Sequence, residues 1–335
     1  MLYAISLFPI LIYIALIRAM DAISLTRWDR GIVSFVWGAA VCGALFFVSV
    51  HYPLPTNGLL AVFVEETLKG IPMVVSIYRK RTAFFVEALI YGAAIGAGFA
   101  AVENVLYVGL NEYFAVGDSV FRGCGTSLLH MGCTALLTCS VLVGARLGRN
   151  RHVATRVALT LVAFLPSNAI HFCHNMLLEE RMLPEVAVVG GVVLVMFLLF
   201  LVVGLIDERL IHKWLDVCIA NDVQLFAAIR NGQLGSTKAG EYLIQMREKF
   251  SPEKFFDILV FLQLYLEISI AAKSLMIMRE AGMDQPVPEA EHDAYMDKTT
   301  ELNHLSRAIG KSGMQVLSPI VNIKAVDIWT IEKLL

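Results

Sequence analysis

Apolar segments about 20 residues long recur through the first two-thirds of this chain, and they constrain its fold more than any other feature. A bilayer core is about 30 Å thick, and a helix needs about 20 mostly apolar residues to cross it. Seven segments meet that length: roughly residues 2–18, 32–51, 59–78, 84–108, 125–145, 154–174 and 185–206. Lipid offers no partner for a backbone N–H or C=O, so each segment must close its own hydrogen bonds as a helix. The expected fold is therefore all-α, a polytopic membrane protein of seven spans. Composition agrees. Hydrophobic residues make up 57% of the chain and charged residues 17%, against about 25% charged in a soluble domain, and the mean hydropathy is +0.68.

The charges between the segments sort by side. Arg18, Arg27 and Arg30 follow the first, "RKR" (79–81) the third, "RLGRNRHVATR" the fifth and "DERLIHK" the seventh. The connections "HYPLPTNG", "GLNEYFAVGDSVFRG" and "NMLLEERMLPE" are poor in Lys and Arg. Positive loops face the cytoplasm, which predicts an amino end outside and a carboxyl end inside. The first segment has no basic region before it and no small-residue cleavage signal, so it is expected to stay as a span.

From Asp207 the charge density becomes that of a soluble protein, which divides the chain into a membrane domain (1–206) and a small helical cytoplasmic domain (207–335). Within the second, Ser251, Pro252 and Gly282 bracket a helix, with a cap, a first-turn proline and a terminating glycine. Gln263, Glu267 and Lys273 interrupt its apolar run, so a buried or amphipathic helix is expected rather than an eighth span. The net charge of −2 averages two unlike halves and gives no support for nucleic-acid binding; the six cysteines form no C-x-x-C pair and so suggest neither a zinc ribbon nor a disulfide framework.

The informative residues are the ionisable ones inside the spans, because a charge at bilayer depth is costly and usually functional. "LLAVFVEETLKGIPMVV" carries Glu65, Glu66 and Lys69, the glutamates about seven residues into the third span, roughly 10 Å at 1.5 Å per residue. "GFAAVENVLYVG" puts Glu103 and Asn104 about one turn from the outer end of the fourth. "TSLLHMGCTALL" puts His130 near the outer start of the fifth, and "SNAIHFCHN" puts His171, His174 and Asn175 near the outer end of the sixth. Four helices thus carry polar groups at one depth, in the outer half of the bilayer. Imidazole and carboxylate are the usual ligands of a hydrolytic zinc ion, which keeps one position open for water, and a free carboxylate beside it takes the water's proton. Lys69, at i+4 from Glu65 and i+3 from Glu66, is placed to neutralise either. Gly92 and Gly96 form a small-residue ridge that lets the fourth helix pack closely on a neighbour.

These residues resemble the PrsW family of intramembrane proteases, whose pattern pairs Glu-Glu-x-x-Lys with Phe-x-x-x-Glu-Asn and histidines on the two following helices. Here "EETLK" (65–69), "FAAVEN" (99–104), "LLHMGCT" (with His130) and "AIHFCHN" (171–175) supply it, over about residues 1–206. The larger CAAX-protease superfamily is similar at His171 and Asn175 but has histidine where this chain has Glu103. The resemblance implies an intramembrane metallopeptidase in a bacterial cytoplasmic membrane. It would cleave a membrane protein or peptide substrate, such as an anti-sigma-factor-like single-span protein, on the outer side of the lipid bilayer. It implies catalytic roles for Glu65, Glu66, Lys69, Asn104 and Asn175, and zinc ligation by Glu103, His130 and His171. The CAAX resemblance also leaves open a metal-free alternative in which a glutamate and a histidine activate the water without zinc, and by analogy with those relatives Glu65 is the expected base. A second reading is a transporter or channel that relays protons or metal ions through the same groups; transport sites lie nearer the midplane, with access from both sides.

Overall fold

The computed structural model describes residues 1–21, 26–52, 58–79, 81–82, 84–148, 151–179, 184–283, 288–317 and 319–320. Among them every regular element is helical. The chain divides into two compact units, Met1–Asp207 and Glu208–Leu335.

The first unit contains α1 (Leu2–Ala19), α2 (Trp28–His51), α3 (Leu59–Tyr78), α4 (Phe85–Leu110), α5 (Val116–Phe121), α6 (Ser127–Leu147), α7 (Val153–Ala163), α8 (Leu165–Glu179) and the first part of α9 (Glu185–Arg230). A π-helical turn, Arg122–Thr126, joins α5 to α6. The region 109–123, expected as a loop, is therefore largely helical. Asp118 explains the early start: its Oδ2 accepts the Ala115 N–H at 2.8 Å, capping α5. The sixth apolar segment is split at Phe164, just before Pro166. Proline lacks an N–H and its ring displaces the carbonyl four residues back, which breaks a helix.

α4 and α6 form the centre of the unit. Ala88, Ile95, Ala97 and Ala100 on α4 and Leu129, Met131, Cys133 and Leu137 on α6 are all buried. Glycine sets their separation. A Cβ on Gly96 would lie 2.3 Å from the His130 carbonyl oxygen, and one on Gly92 would lie 2.9 Å from the Ala135 Cα. The predicted ridge therefore packs on α6, and it brings the strand of residues above it on α4 against His130. On the other side of α4 the contact with α2 is reciprocal. A Cβ on Gly38 would meet the Ile95 carbonyl oxygen at 1.8 Å, and one on Gly98 the Phe35 carbonyl oxygen at 1.9 Å.

α3 lies against α6 and α8. Its Pro72 leaves the Leu68 carbonyl without its helical donor, and Trp37 Nε1 on α2 donates to that carbonyl at 3.0 Å. Glu87 at the start of α4 accepts the Phe84 N–H at 3.2 Å, capping that helix.

Among the described residues, seven helical stretches are long and apolar enough to cross a membrane: Leu2–Ala19, Trp28–His51, Phe85–Leu110, Val116–Leu147, Val153–Leu178, Glu185–Leu205 and Pro252–Arg279. Two differences from the expected set stand out. α3 is 20 residues long but falls outside it because of Glu65, Glu66 and Lys69. The stretch Pro252–Arg279 enters it by length and composition.

That stretch belongs to the second unit, with α10 (Lys238–Met246), α11 (Pro252–Glu280) and α12 (Glu289–Leu317). The cap signals of α11 act as read: the Ser251 hydroxyl accepts the Lys254 N–H at 3.3 Å, and Gly282 takes a φ of +73°. α11 packs on α12, and its Ile258, Phe261, Leu262, Tyr265, Leu266 and Met276 are buried. Its interrupting charges are paired, Lys273 with Asp222 at 2.5 Å and Glu267 with Lys298 at 2.6 Å.

The close glycine contacts yield a prediction. Gly96→Ala should destabilise the protein by about 1–3 kcal/mol, the usual cost of overpacking. Gly43→Ala, with nothing within 4 Å of the new Cβ, should be neutral. Thermal unfolding midpoints in detergent compare the two; equal midpoints would contradict the packing described.

Candidate active site

Little more than one turn of α3 carries Glu65, Glu66 and Lys69, on a helix that meets α4, α6 and α8. Glu66 and Lys69 are fully buried, while the Glu65 side chain keeps 19% of its exposure. A buried ammonium must give each of its three protons to an acceptor. Lys69 Nζ finds three: Glu65 Oε1 at 2.5 Å, Glu66 Oε1 at 3.0 Å and His130 Nδ1 at 3.0 Å. It also sits 3.8 Å from the centroid of the Phe99 ring on α4, a cation–π contact.

The two glutamates are held differently. Glu66 Oε1 accepts from Lys69 and from His171 Nδ1 at 2.9 Å, and its Oε2 accepts from the Ser167 hydroxyl at 3.1 Å. Both of its oxygens are therefore committed. Among the described residues Glu65 is held through Oε1 alone, with His130 Nδ1 at 3.4 Å and His171 Nδ1 at 3.9 Å from that atom.

His130 is fixed from both sides. Its Nδ1 accepts from Lys69, so its Nε2 carries the proton and donates to Glu103 Oε2 at 2.9 Å. The same Glu103 oxygen accepts from Arg122 at 2.6 Å, and Arg122 Nε donates to Asn104 Oδ1 at 3.1 Å. Asn104 in turn donates to the Ser127 hydroxyl at 2.9 Å and the Ser6 carbonyl at 3.1 Å. Arg122 stands on the π-helical turn, a backbone feature that often marks functional sites, and stacks 3.6 Å from the Tyr107 ring centroid. The His130 and His171 rings meet edge to face, 5.0 Å between centroids.

One donor atom from each of Glu65, Glu66, His130 and His171 lies within 4.8 Å of the others. Two carboxylates and two imidazoles are the donor types a zinc ion takes, so the residues present fit a metal by chemistry and by proximity. Glu103 lies outside this group of four and bonds instead to the far ring nitrogen of His130. Asn104 is fully engaged in holding Arg122 and Ser127. Asn175 is half-buried and reaches His174 Nδ1 at 3.3 Å. His174 is 4% exposed, and no described residue partners its Nε2.

Arg122 and Ser167 carry no motif and were not singled out in the sequence. Arg122 had one signal, a lone cation just before an apolar span in an otherwise Lys- and Arg-poor connection. Ser167 had another, a hydroxyl one helical turn before His171.

The sequence model described as the PrsW family intramembrane metalloprotease matches residues 26–204. Protease PrsW of Bacillus subtilis (strain 168) is 34% identical over 133 residues, 38% of this chain and 52% of that relative. The chain thus spans about half the length of the curated relative it matches. No solved structure matches it. The family match takes in more than half of the chain, including α3, α4, α6 and α8 and every residue of the buried cluster, and the chain belongs to the PrsW family of intramembrane metalloproteases.

Proposed function

We propose that this protein is an intramembrane protease that hydrolyses a peptide bond of membrane-anchored substrates near the outer face of a bacterial cytoplasmic membrane. One observation carries the reading: three helices, α3, α6 and α8, bring Glu65, Glu66, His130 and His171 to one point within an apolar unit. The sorting of Lys and Arg between the spans supports an amino end outside and a cytoplasmic carboxyl-terminal domain. That orientation puts the cluster in the outer half of the bilayer, where the connections poor in basic residues lie.

The division of labour follows from how each group is held. Glu65 is the residue we assign as general base. It retains exposure and an uncommitted oxygen, and it can therefore accept a proton from water. Glu66, with both oxygens taken, holds Lys69, His171 and Ser167 in register rather than moving a proton. His130 presents Nδ1 toward the glutamates because Glu103 and Arg122 hold its other nitrogen. The Asn175 amide N–H is a donor available to a developing oxyanion. Glu66, His130 and His171 would hold a zinc ion, with Glu65 left as the base beside it; when bound, the ion would polarise the substrate carbonyl and acidify a water. Asn104 acts through Arg122, and Lys69 offsets the carboxylates.

Two outcomes test these roles. Glu65→Gln should lower cleavage of a single-span substrate by about 100- to 10,000-fold, the range for losing a general base, with the unfolding midpoint little changed. Glu66→Ala should lose cleavage and also destabilise the fold by about 3–5 kcal/mol, because it strips a buried cation of a partner. Cleavage and melting measured side by side separate the two; full activity in Glu65→Gln would overturn the assignment. Arg122→Gln should keep the fold and cut cleavage by about 10- to 100-fold, the range for losing a residue that orients a ligand. Unchanged turnover in that variant would show that Glu103 and His130 need no such support.

A further inference from the structure

The Lys69 ammonium does not lie beside the group of four possible ligands; it lies within it. Its contacts are Glu65 Oε1, Glu66 Oε1 and His130 Nδ1, at 2.5, 3.0 and 3.0 Å. Those belong to three of the four side chains that converge to hold a metal. A carboxylate oxygen has lone pairs to share between two cations. A neutral imidazole nitrogen has one, and the His130 Nδ1 lone pair is already directed at Lys69. The other ring nitrogen cannot substitute, because Nε2 donates to Glu103. An ion that takes His130 must therefore displace the ammonium.

Charge leads to the same exclusion. The connected network holds three carboxylates, Glu65, Glu66 and Glu103, against two fixed cations, Lys69 and Arg122. It is short of positive charge by one. A divalent ion added beside Lys69 would overshoot and repel the ammonium at contact distance in a medium that screens poorly. With Lys69 withdrawn, a divalent ion balances the network.

We propose that Lys69 is a tethered resident cation that competes with the metal for this site. With the ammonium in place, Glu65, Glu66 and His130 are held together without a metal. When a metal enters, the ammonium leaves those three acceptors and withdraws from the cluster. Lys69 then acts as a specificity-determining residue. Only an ion that binds imidazole well can win His130 from it. Zinc does; magnesium and calcium, which take oxygen ligands, do not. This proposal rests on the assignment of the cluster as the metal-holding site.

The test is titration of chelator-treated full-length protein in nanodiscs with zinc chloride, followed by calorimetry, with no substrate present. Lys69→Met should bind one equivalent of zinc about tenfold or more tightly than the wild type. Adding His130→Ala to Lys69→Met should remove that gain. An equal or weaker affinity in Lys69→Met, or a gain that survives His130→Ala, would overturn the proposal. Lys69→Gln, polar and of similar length, serves as a second variant. If both variants are unfolded when stripped of metal, zinc should restore the folded fraction, and failure to do so counts against the proposal. Because no step reads cleavage, the outcomes separate. Zinc gain in a protein that cleaves nothing would sink the protease reading alone, and cleavage without zinc gain would sink the exchange alone.

Discussion

A buried ammonium that gives all three protons to side chains joins α3 to α6 and anchors a polar network within an otherwise largely apolar unit. Lys69 bonds to Glu65 and Glu66 on its own helix and to His130 on α6, and through Glu66 it reaches His171 and Ser167 on α8. His130 carries the chain of contacts on to Glu103 on α4 and Arg122 on the π-helical turn. The remaining structure serves this network. The glycines of α4 let its backbone approach α6 closely enough for Glu103 to reach His130. The Trp37 indole supports α3 where Pro72 interrupts it. In hydrocarbon, an unpaired charge is expensive, which explains why Glu65, Glu66, Lys69, Glu103 and Arg122 are all paired; among the described residues His174 Nε2 has no partner.

The network also explains why two adjacent glutamates are present. Neighbours on a helix point about 100° apart, so Glu65 and Glu66 meet different surroundings. Glu66 is fully buried and carries three hydrogen bonds. Glu65 keeps partial exposure and a free oxygen. One glutamate is suited to holding and the other to proton transfer, and the proposed mechanism uses that difference.

Much of this was legible in the sequence. Helix-length apolar segments and the depth of the polar residues depend only on spacing along the chain, and they placed Glu65, Glu66, His130 and His171 on helices that do converge. What spacing could not supply were relations across helices. Whether Glu103 would touch a metal or stand behind His130 depends on the approach of α4 to α6. The parts taken by Arg122 and Ser167 depend on partners 19 and 101 residues away in the chain. The π-helical turn hid in a segment of glycines and polar residues that reads as loop. α11 shows the opposite limit: hydropathy alone cannot distinguish an apolar helix covered by α12 from one covered by lipid.

The central claim is that one Glu/His cluster in the outer half of the bilayer activates water against a peptide bond. Its most direct measurement is digestion of a single-span substrate by the purified protein in oxygen-18 water, with both fragments mapped by mass spectrometry. The account predicts one heavy oxygen atom in the new carboxyl terminus and a cut in the outer portion of the substrate's span or just beyond it. A cut at the cytoplasmic end, or fragments without the label, would contradict it.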